Sequence, residues 1–197
     1  MFPETIETDR LVLDRLTTEH LFECYEHASV DAPHIEEITR HLNWSPHRSL
    51  NETRTFIERQ QNAWAEGEEA TYVVYPQKTE ANAGEFGGTT GLGIDWKRRV
   101  GTFGLWLRKP LWGRGYSGER ANALMELAFE RLDLDLVTVS HHPDNDSSER
   151  AIRKYVEAHG GRREGHLRNH IAYQDGTVVD VVRYSIAQSE YREHQTQ

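Results

Sequence analysis

The chain has 197 residues, of which 37% are hydrophobic and 28% charged, and its formal net charge is -9 at pH 7. This composition predicts a soluble globular domain, and the interspersed acidic and basic residues exclude the basic face of a nucleic-acid-binding protein. No apolar run is long enough to cross a membrane, no leader pattern opens the chain, and the one cysteine, Cys24, forms no internal disulfide. We therefore expect a cytoplasmic protein with no nucleic-acid or membrane partner.

The acidic bias has two explanations. Asp and Glu number 32 against 23 Lys and Arg, and four of the basic residues are lysine. Such a surface stays hydrated in concentrated salt, which indicates a halophilic source with a salt-rich cytoplasm. GC-biased codon usage produces the same bias, and both explanations stay open.

The first half of the chain is predicted to contain two strands and two helices. Alternating apolar and polar residues indicate the first strand, Thr17 or Thr18 caps the first helix, and Gly67 ends the second. Residues 32–43 carry at most a weak helical pattern. The predicted elements are the strand Arg10–Leu16, the helix Glu19–Ser29, a helix from Ser49 or Asn51 to Glu66, and the strand Thr71–Tyr75.

The second half is predicted to contain a hairpin, a strand between two helices, and a last hairpin that turns at Asp175-Gly176. Its elements are the strands Phe86–Trp96, Val100–Leu107, Leu134–Ser140, Arg163–Tyr173 and Val178–Ala187, and the helices Ser117–Leu132 and Ser147–Ala158.

The resulting order, β-α-α-β-β-β-α-β-α-β-β, predicts a single α/β (α+β) domain over residues 1–190. A mixed central sheet of about seven strands is expected, with helices on both faces. Residues 191–197 are predicted to form a polar, frayed tail.

A glycine-rich turn joins the strand that ends at Leu107 to the following helix. Gly113, Gly115 and Gly118 let the backbone approach a ligand closely, and the helix N-terminus offers free N–H groups to an anion. The turn lacks the G-x-x-x-x-G-K-[ST] pattern of a nucleoside-triphosphate loop and the acidic partner residue of a dinucleotide site. It is interpreted as a phosphate cradle, with an ordinary strand-to-helix turn as the alternative.

Four segments in register resemble the GNAT superfamily of acyl-CoA-dependent N-acyltransferases. They are Ile6–Leu16, Gly104–Ser117, His142–Ala151 and Gly160–Gly165, which together span nearly the whole chain. More narrowly, the chain resembles the RimJ/RimL-like branch, which contains ribosomal-protein N-terminal acetyltransferases. The resemblance implies the GNAT fold. It is supported by the fact that all four motifs occur in the expected order.

The resemblance implies acetyl-CoA as co-substrate, with the pantetheine arm in a notch between two splayed strands. The diphosphate would lie on the amides of the cradle, where Arg108 and Arg114 add charge near phosphates or remain solvated surface residues. The cofactor-binding residues implied are Trp106, Leu107, Arg108, Trp112, Gly113, Arg114, Gly115, Tyr116, Ser117 and Asn145.

The resemblance also implies catalytic roles after the strand that ends at Ser140. Asn145 is assigned to the cofactor and Ser148 to protonation of the leaving thiolate, with helix capping as the alternative for both. Thr102 stands where many relatives carry a glutamate base, and Ile152 stands where many carry a tyrosine acid. Tyr155, one helical turn on, is a possible substitute for that acid. The remaining candidates for the base are Asp95, His141 and His142.

The expected reaction moves an acetyl group to a primary amine, best a protein N-terminal α-amine. Small amines such as polyamines, amino acids or aminoglycosides are the rival acceptors, and a non-catalytic acyl-CoA-binding module is the rival class. No metal is expected, because His166 and His170 lie about 13 Å apart on a predicted strand. Cys24 is interpreted as a small core residue. Family analogy makes a homodimer possible, through the exposed sheet edge of the last hairpin or through the region between the strands Leu134–Ser140 and Arg163–Tyr173.

Overall fold

One eight-stranded sheet organises the computed structural model, which describes residues 1–173 and 176–195. Its strand order is β1-β2-β3-β4-β5-β6-β8-β7. The strands are β1 (Thr5–Glu7), β2 (Leu11–Arg15), β3 (Glu69–Pro76), β4 (Gly88–Asp95), β5 (Val100–Leu107), β6 (Leu136–His141), β7 (Arg162–Ala172) and β8 (Val178–Ala187). The sheet has one strand more than expected, because the short, mostly polar β1 carries no apolar alternation.

The helices are α1 (Leu21–Ala28), α2 (Ile35–Thr39), α3 (Leu50–Glu66), α4 (Tyr116–Glu126), α5 (Asp146–Ala158) and α6 (Gln188–Gln195). A 3₁₀ turn at Thr18–His20 leads into α1, a second at Lys109–Leu111 precedes the cradle, and a π-helical turn at Leu127–Arg131 extends α4. No helix among the described residues is long and apolar enough to cross a membrane.

Local signals place the first helices as predicted. Thr17 caps the turn that leads into α1, and the Ser49 hydroxyl accepts from the Glu52 amide at the start of α3. Gly67 ends α3 in the left-handed region at φ 74°. These boundaries follow from side-chain capping and from glycine's conformational freedom.

Side chains of successive strand residues divide between two hydrophobic cores. Tyr72 and Val74 of β3 join the core beneath α4 and α5, while Val73 joins the core beneath α1 and α3. On β5, Phe103 faces the first core and Trp106 the second. Helices therefore cover both faces, as the alternation of strand residues requires.

The sheet opens between β5 and β6, its parallel pair. These strands pair only at Val100–Leu136, Gly101–Val137 and Thr102–Thr138. Beyond Thr102 they separate, so that the edge of β5 from residue 103 onward faces a notch. The splay expected from the resemblance is present.

The C-terminal segment corrects one expectation. Residues 188–195 form α6 rather than a frayed tail, and Tyr191 is buried against Phe129, with ring centroids 5.0 Å apart. A single aromatic residue in a polar segment was too weak a signal for this contact. The predicted turn at Asp175-Gly176 lies partly outside the described residues.

Candidate active site

A cleft of about 2430 Å³ runs from the cradle, along the notch, to the sheet face beneath α1–α3. A pocket for one drug-sized molecule occupies about 300–1,000 Å³. The cleft is therefore large enough for two substrates that approach from opposite ends.

The cradle at the first end has the backbone geometry of an anion site. Gly113 and Gly115 have φ values of 74° and 81°, and Gly115 is the N-cap residue of α4. The amides of Gly118 and Glu119 bond to the Gly115 carbonyl, so the preceding amides of Tyr116 and Ser117 have no intrahelical acceptor. Free amides at a helix N-terminus favour a negatively charged group.

Arg10, which sequence reasoning missed, holds the cradle to the start of β2. Its Nε donates to Glu119 at 2.7 Å and its Nη1 donates to the Arg114 carbonyl at 2.9 Å. Glu119 also accepts from the Thr8 hydroxyl at 2.6 Å. Burial alone would raise the pKa of the Glu119 carboxyl, but the hydrogen bonds from Thr8 and Arg10 lower it below its ordinary value. The contacts join residues more than one hundred positions apart, which no local pattern reveals.

The other residues assigned to the cofactor lie along the same stretch, with distinct environments. Trp106 is buried against Trp44, and Leu107 is buried in the other core. Trp112 is 42% exposed beside the cradle and donates through Nε1 to the Leu107 carbonyl at 2.8 Å. Tyr116 is buried, and its hydroxyl donates to Glu80 at 2.5 Å.

The two arginines proposed near phosphate already have protein partners. Arg108 donates to Glu85 at 3.1 Å and to the Phe86 carbonyl at 2.8 Å. Arg114 contacts the Ala81 carbonyl at 3.4 Å. These bonds tie the loop before β4 to the cradle.

Two threonine hydroxyls mark the point where the notch begins. The hydroxyls of Thr102 and Thr138 lie 3.1 Å apart, and Thr138 also donates to the Gly101 carbonyl at 3.3 Å. A hydroxyl has no proton-accepting strength comparable to a carboxylate at neutral pH. Neither threonine supplies the base that the family often places on this strand.

Asn145 and Ser148 lie at the start of α5, where the cleft passes β6. Asn145 is the N-cap residue, and its Oδ1 accepts from the Ser148 amide at 3.1 Å. The capping alternative is therefore realised for the Asn145 oxygen. The Asn145 amide nitrogen and the Ser148 hydroxyl have no protein partner among the described residues, and both residues line the cleft.

An arginine and a tyrosine are buried together beneath the notch. Arg120 of α4 is 2% exposed, and its guanidinium lies 5.9 Å from the ring centroid of Tyr155. Two guanidinium nitrogens and the Tyr155 hydroxyl have no hydrogen-bond partner among the described residues. Burial lowers the pKa of the Arg120 guanidinium. Burial also raises the pKa of the Tyr155 hydroxyl, and the Arg120 charge partly opposes that rise. Ile152 is in the core.

The three candidates for the base are differently placed. Asp95 lies outside the cleft lining and pairs with Arg98 at 2.6 Å. Hydrogen bonds from the Arg98 amide and then from its side chain lower the pKa of the Asp95 carboxyl. His141 is buried against Tyr184, and its Nδ1 lies 2.8 Å from the His142 carbonyl. His142 stacks on His41 with ring centroids 4.8 Å apart. The geometry does not favour Asp95.

Sequence reasoning overlooked a carboxylate that does line the cleft. Glu69, the first residue of β3, faces the layer of α3, and its Oε1 lies 2.9 Å from where a Cβ on Gly91 would be. Burial raises the pKa of this carboxyl, opposed by a hydrogen bond from Thr71 and the charge of Arg59. In the sequence, Glu69 follows Glu66 and Glu68 and reads as part of a charged turn.

The described part of the chain has no metal-binding cluster, and its one thiol is buried. It contains no cluster of three or more His, Cys, Asp or Glu side chains that could hold a metal ion. Cys24 is buried, and burial raises the pKa of its thiol to about 12. The thiol is therefore a core group.

Comparison with known proteins agrees with this geometry. The Acetyltransferase (GNAT) domain matches residues 10–155. The chain is 25% identical over 189 residues to the uncharacterized N-acetyltransferase p20 of Bacillus licheniformis, across 95% of this chain and 98% of that protein.

Solved structures share the fold. A GCN5-related N-acetyltransferase from Brucella melitensis is 22% identical, with a TM-score of 0.76 over 98% of this chain and 86% of that one. RimL, a ribosomal L7/L12 alpha-N-protein acetyltransferase in complex with coenzyme A, is 20% identical, with a TM-score of 0.76 over 93% of this chain and 98% of that one. At these identities the likeness to both structures shows the fold alone. The domain match, which includes the cradle, the notch and most of α5, shows that the chain belongs to the GNAT acetyltransferase family and uses acetyl-CoA as its acetyl donor.

Proposed function

We propose that this acetyltransferase moves the acetyl group to the N-terminal α-amine of a protein. The observation that carries the proposal is the continuity of one cleft from the cradle to the open sheet face beyond Thr102. The absence of a carboxylate at Thr102 favours an acceptor that is partly neutral without help.

We place acetyl-CoA at the cradle end of the cleft. We assign the diphosphate to the free amides at the start of α4 and the pantetheine arm to the unpaired edge of β5. An extended amide chain can bond to such an edge as a further strand would. The open space at Gly113, where a Cβ would meet no atom within 4 Å, leaves room for a ligand over the cradle.

The reaction requires a neutral amine, donors for the developing oxyanion and a proton for the leaving thiolate. We assign the amide nitrogen of Asn145 to the cofactor and the Ser148 hydroxyl to protonation of the thiolate. Tyr155 is the second candidate for that proton, because its hydroxyl lies beneath the notch beside the Arg120 cation. Ser148→Ala should then lower turnover by about 10²-fold, at the low end of the roughly 10²–10⁴-fold range of general acid–base effects.

Small amines are the alternative acceptors. A polyamine, an amino acid or an aminoglycoside also presents a primary amine, and the cleft volume admits any of them. The α-amines of protein N-termini, with pKa values near 7.7–8.0, are partly neutral at pH 7, whereas the amines of lysine side chains and polyamines are mostly charged.

A thiol-release assay with mass spectrometry tests the acceptor. Peptides with a free N-terminus and no lysine are compared with N-terminally blocked peptides that contain one lysine, and with the small amines above. Acetylation of the free N-terminus with the highest kcat/KM supports the proposal. Preference for a polyamine or an aminoglycoside would contradict the proposed α-amine and identify a small amine as the acceptor. No thiol release with any amine would indicate a non-catalytic acyl-CoA-binding module.

We further propose that the enzyme acts in a salt-rich cytoplasm and forms a homodimer. β7 is an edge strand whose side chains are largely exposed and include Arg162, Arg163 and Arg168. Charged edges oppose direct strand pairing, so the dimer would form through other surfaces. Light scattering and activity measured in dilute buffer and in molar salt test both ideas. A mass of 22.8 kDa contradicts the dimer, and full activity without salt contradicts halophilic adaptation.

A further inference from the structure

Three glycines on one face of the sheet leave an open path between Glu69 and the notch. Gly91 and Gly104 face each other across β4 and β5, and facing residues of an antiparallel pair lie about 5 Å apart. A Cβ added at Gly104 would meet no atom within 4 Å, and one at Gly93 would meet the Thr102 carbonyl oxygen at 3.9 Å. The sheet face is bare from Glu69 to the edge of β5.

The Glu69 carboxylate lies at the far end of this path. It occupies the space that a Cβ on Gly91 would need, so it lies over the sheet and within the cleft. The Thr71 hydroxyl donates to Oε1 at 3.4 Å, and Arg59 is the charged group that acts on it from α3. The residues of β4 and β5 that share this face near Glu69 are glycine and threonine, which carry no charge.

We propose that Glu69 receives the acceptor amine, pairing with the incoming ammonium group and accepting one proton from it. This assignment rests on the proposed function and supplies the group that Thr102 lacks. The neutral nitrogen then bonds to the thioester carbonyl carbon. As the C–S bond breaks, the departing thiolate takes a proton from the Ser148 hydroxyl, which regains one from the nitrogen. The products are the amide and the thiol, and Glu69 returns its proton to water.

The environment of Glu69 suits an α-amine. Its pKa is raised mainly by burial, against the bond from Thr71 and the charge of Arg59. A carboxyl with a raised pKa accepts a proton more readily than an ordinary glutamate. An α-ammonium, with a pKa near 7.7–8.0, gives its proton to this carboxyl more readily than a lysine ammonium near 10.4, by about 2.5 pKa units. The same group therefore activates α-amines much better than lysines.

The test compares Glu69→Gln with Glu68→Gln. Glu68 is the preceding residue, is exposed and does not line the cleft, so the control makes the same chemical change outside the path. We expect kcat/KM for the amine to fall by about 10²-fold or more in Glu69→Gln. It should fall less in Glu69→Asp and remain within about twofold in Glu68→Gln. Glu69→Gln should also lose the acidic limb of the pH profile, while acetyl-CoA affinity is unchanged in all three variants.

A second variant tests the path itself. Gly104→Ala places a methyl group in open space, so the fold should be kept while the path narrows. We expect kcat/KM for the amine to fall about tenfold with unchanged thermal stability. A Glu69→Gln enzyme within about twofold of wild type, on an amine that wild type acetylates, would overturn the Glu69 assignment alone. A wild-type enzyme that binds acetyl-CoA but acetylates no amine would overturn the proposed function, and this inference with it.

Discussion

The cradle depends on two backbone positions that favour glycine. Gly113 and Gly115 both have φ in the left-handed region, where a Cβ is strained. Gly118 has no such φ, and a Cβ there would make an ordinary contact with the Tyr155 Cβ at 3.9 Å. The glycine pattern therefore predicted three special positions, of which two have a conformational reason.

Gly115→Val tests the role of the cradle. The substitution forces a β-branched residue into φ 81° at the N-cap of α4, so the amides that we assign to the diphosphate should shift. We expect acetyl-CoA affinity to fall at least about tenfold, or about 1.4 kcal/mol, as measured by calorimetry.

Gly176→Val is the matched control. Gly176 has φ 86° and no atom of the described residues within 4 Å of an added Cβ, but it lies just before β8 and outside the cleft lining. The control should share the backbone strain and keep its affinity for acetyl-CoA. Equal affinities in the two variants would show that the cradle loop is only structural.

Single residues were the hardest feature to predict. Asn145 was predicted to contact the cofactor, with helix capping as the alternative, because an asparagine at a helix start is typical of either role. In the structure its side-chain oxygen caps the helix by accepting from the Ser148 amide. Asp95 was a plausible base until its pairing with Arg98 was known. Glu69 was missed because its burial arises from packing beneath α3 and from the glycines of β4, which the sequence does not place beside it.

At the scale of elements, helix ends were predicted better than contacts between elements. Ser49, Gly67 and the strand Val100–Leu107 follow from local chemistry that acts over a few residues. The position of α4 against β2 depends instead on Arg10 and Glu119. Such pairs form only after the sheet has brought distant segments together.

Arg10→Met tests whether this pair holds the cradle in place. The variant removes the ion pair with Glu119 and the bond to the Arg114 carbonyl. Arg10 is partly exposed, so we expect the free energy of unfolding to fall by about 1–2 kcal/mol and acetyl-CoA affinity to fall severalfold. Arg98→Met, which breaks an exposed pair far from the cradle, should leave that affinity unchanged.

Acid should weaken the same contact. The folded pKa of Glu119 lies below its ordinary value of 4.5. The stability that it contributes is therefore present above about pH 4.5 and is lost as the pH falls through the folded value. Denaturant unfolding should show this loss in wild type and less of it in Glu119→Gln. An Arg10→Met enzyme with the acetyl-CoA affinity and the free energy of unfolding of wild type would contradict the prediction that Arg10 holds the cradle in place.

At the scale of the whole molecule, the order of strands and helices was predictable because each element has its own periodicity. The open sheet and the layered helices then follow from burying both faces of the strands. The acceptor could not be predicted, because the open end of the cleft is built from segments that meet only in the fold. Trp44, His41 and His142 are examples.

The titration of the acceptor should govern the pH dependence of the whole reaction. Near pH 7 an α-amine of pKa about 7.7–8.0 is roughly one-tenth neutral, whereas a lysine side chain near 10.4 is almost wholly charged. The difference of about 2.5 pKa units corresponds to about 3.5 kcal/mol, and Glu69 does not remove it, because the same carboxyl serves either amine. We expect kcat/KM for a free N-terminus in Glu69→Gln to follow the titration of the amine, rising with pH and levelling off above about pH 8, whereas Glu69 should extend the activity of wild type to lower pH. An N-terminally blocked lysine peptide should be a far poorer substrate whose rate still rises near pH 10.

Measuring both profiles across this range, in wild type and in Glu69→Gln, separates the titration of the amine from that of the carboxyl. Efficient acetylation of the lysine peptide, with a profile independent of the acceptor's pKa, would contradict the assignment and require a stronger base, for which His141 and His142 are the next candidates.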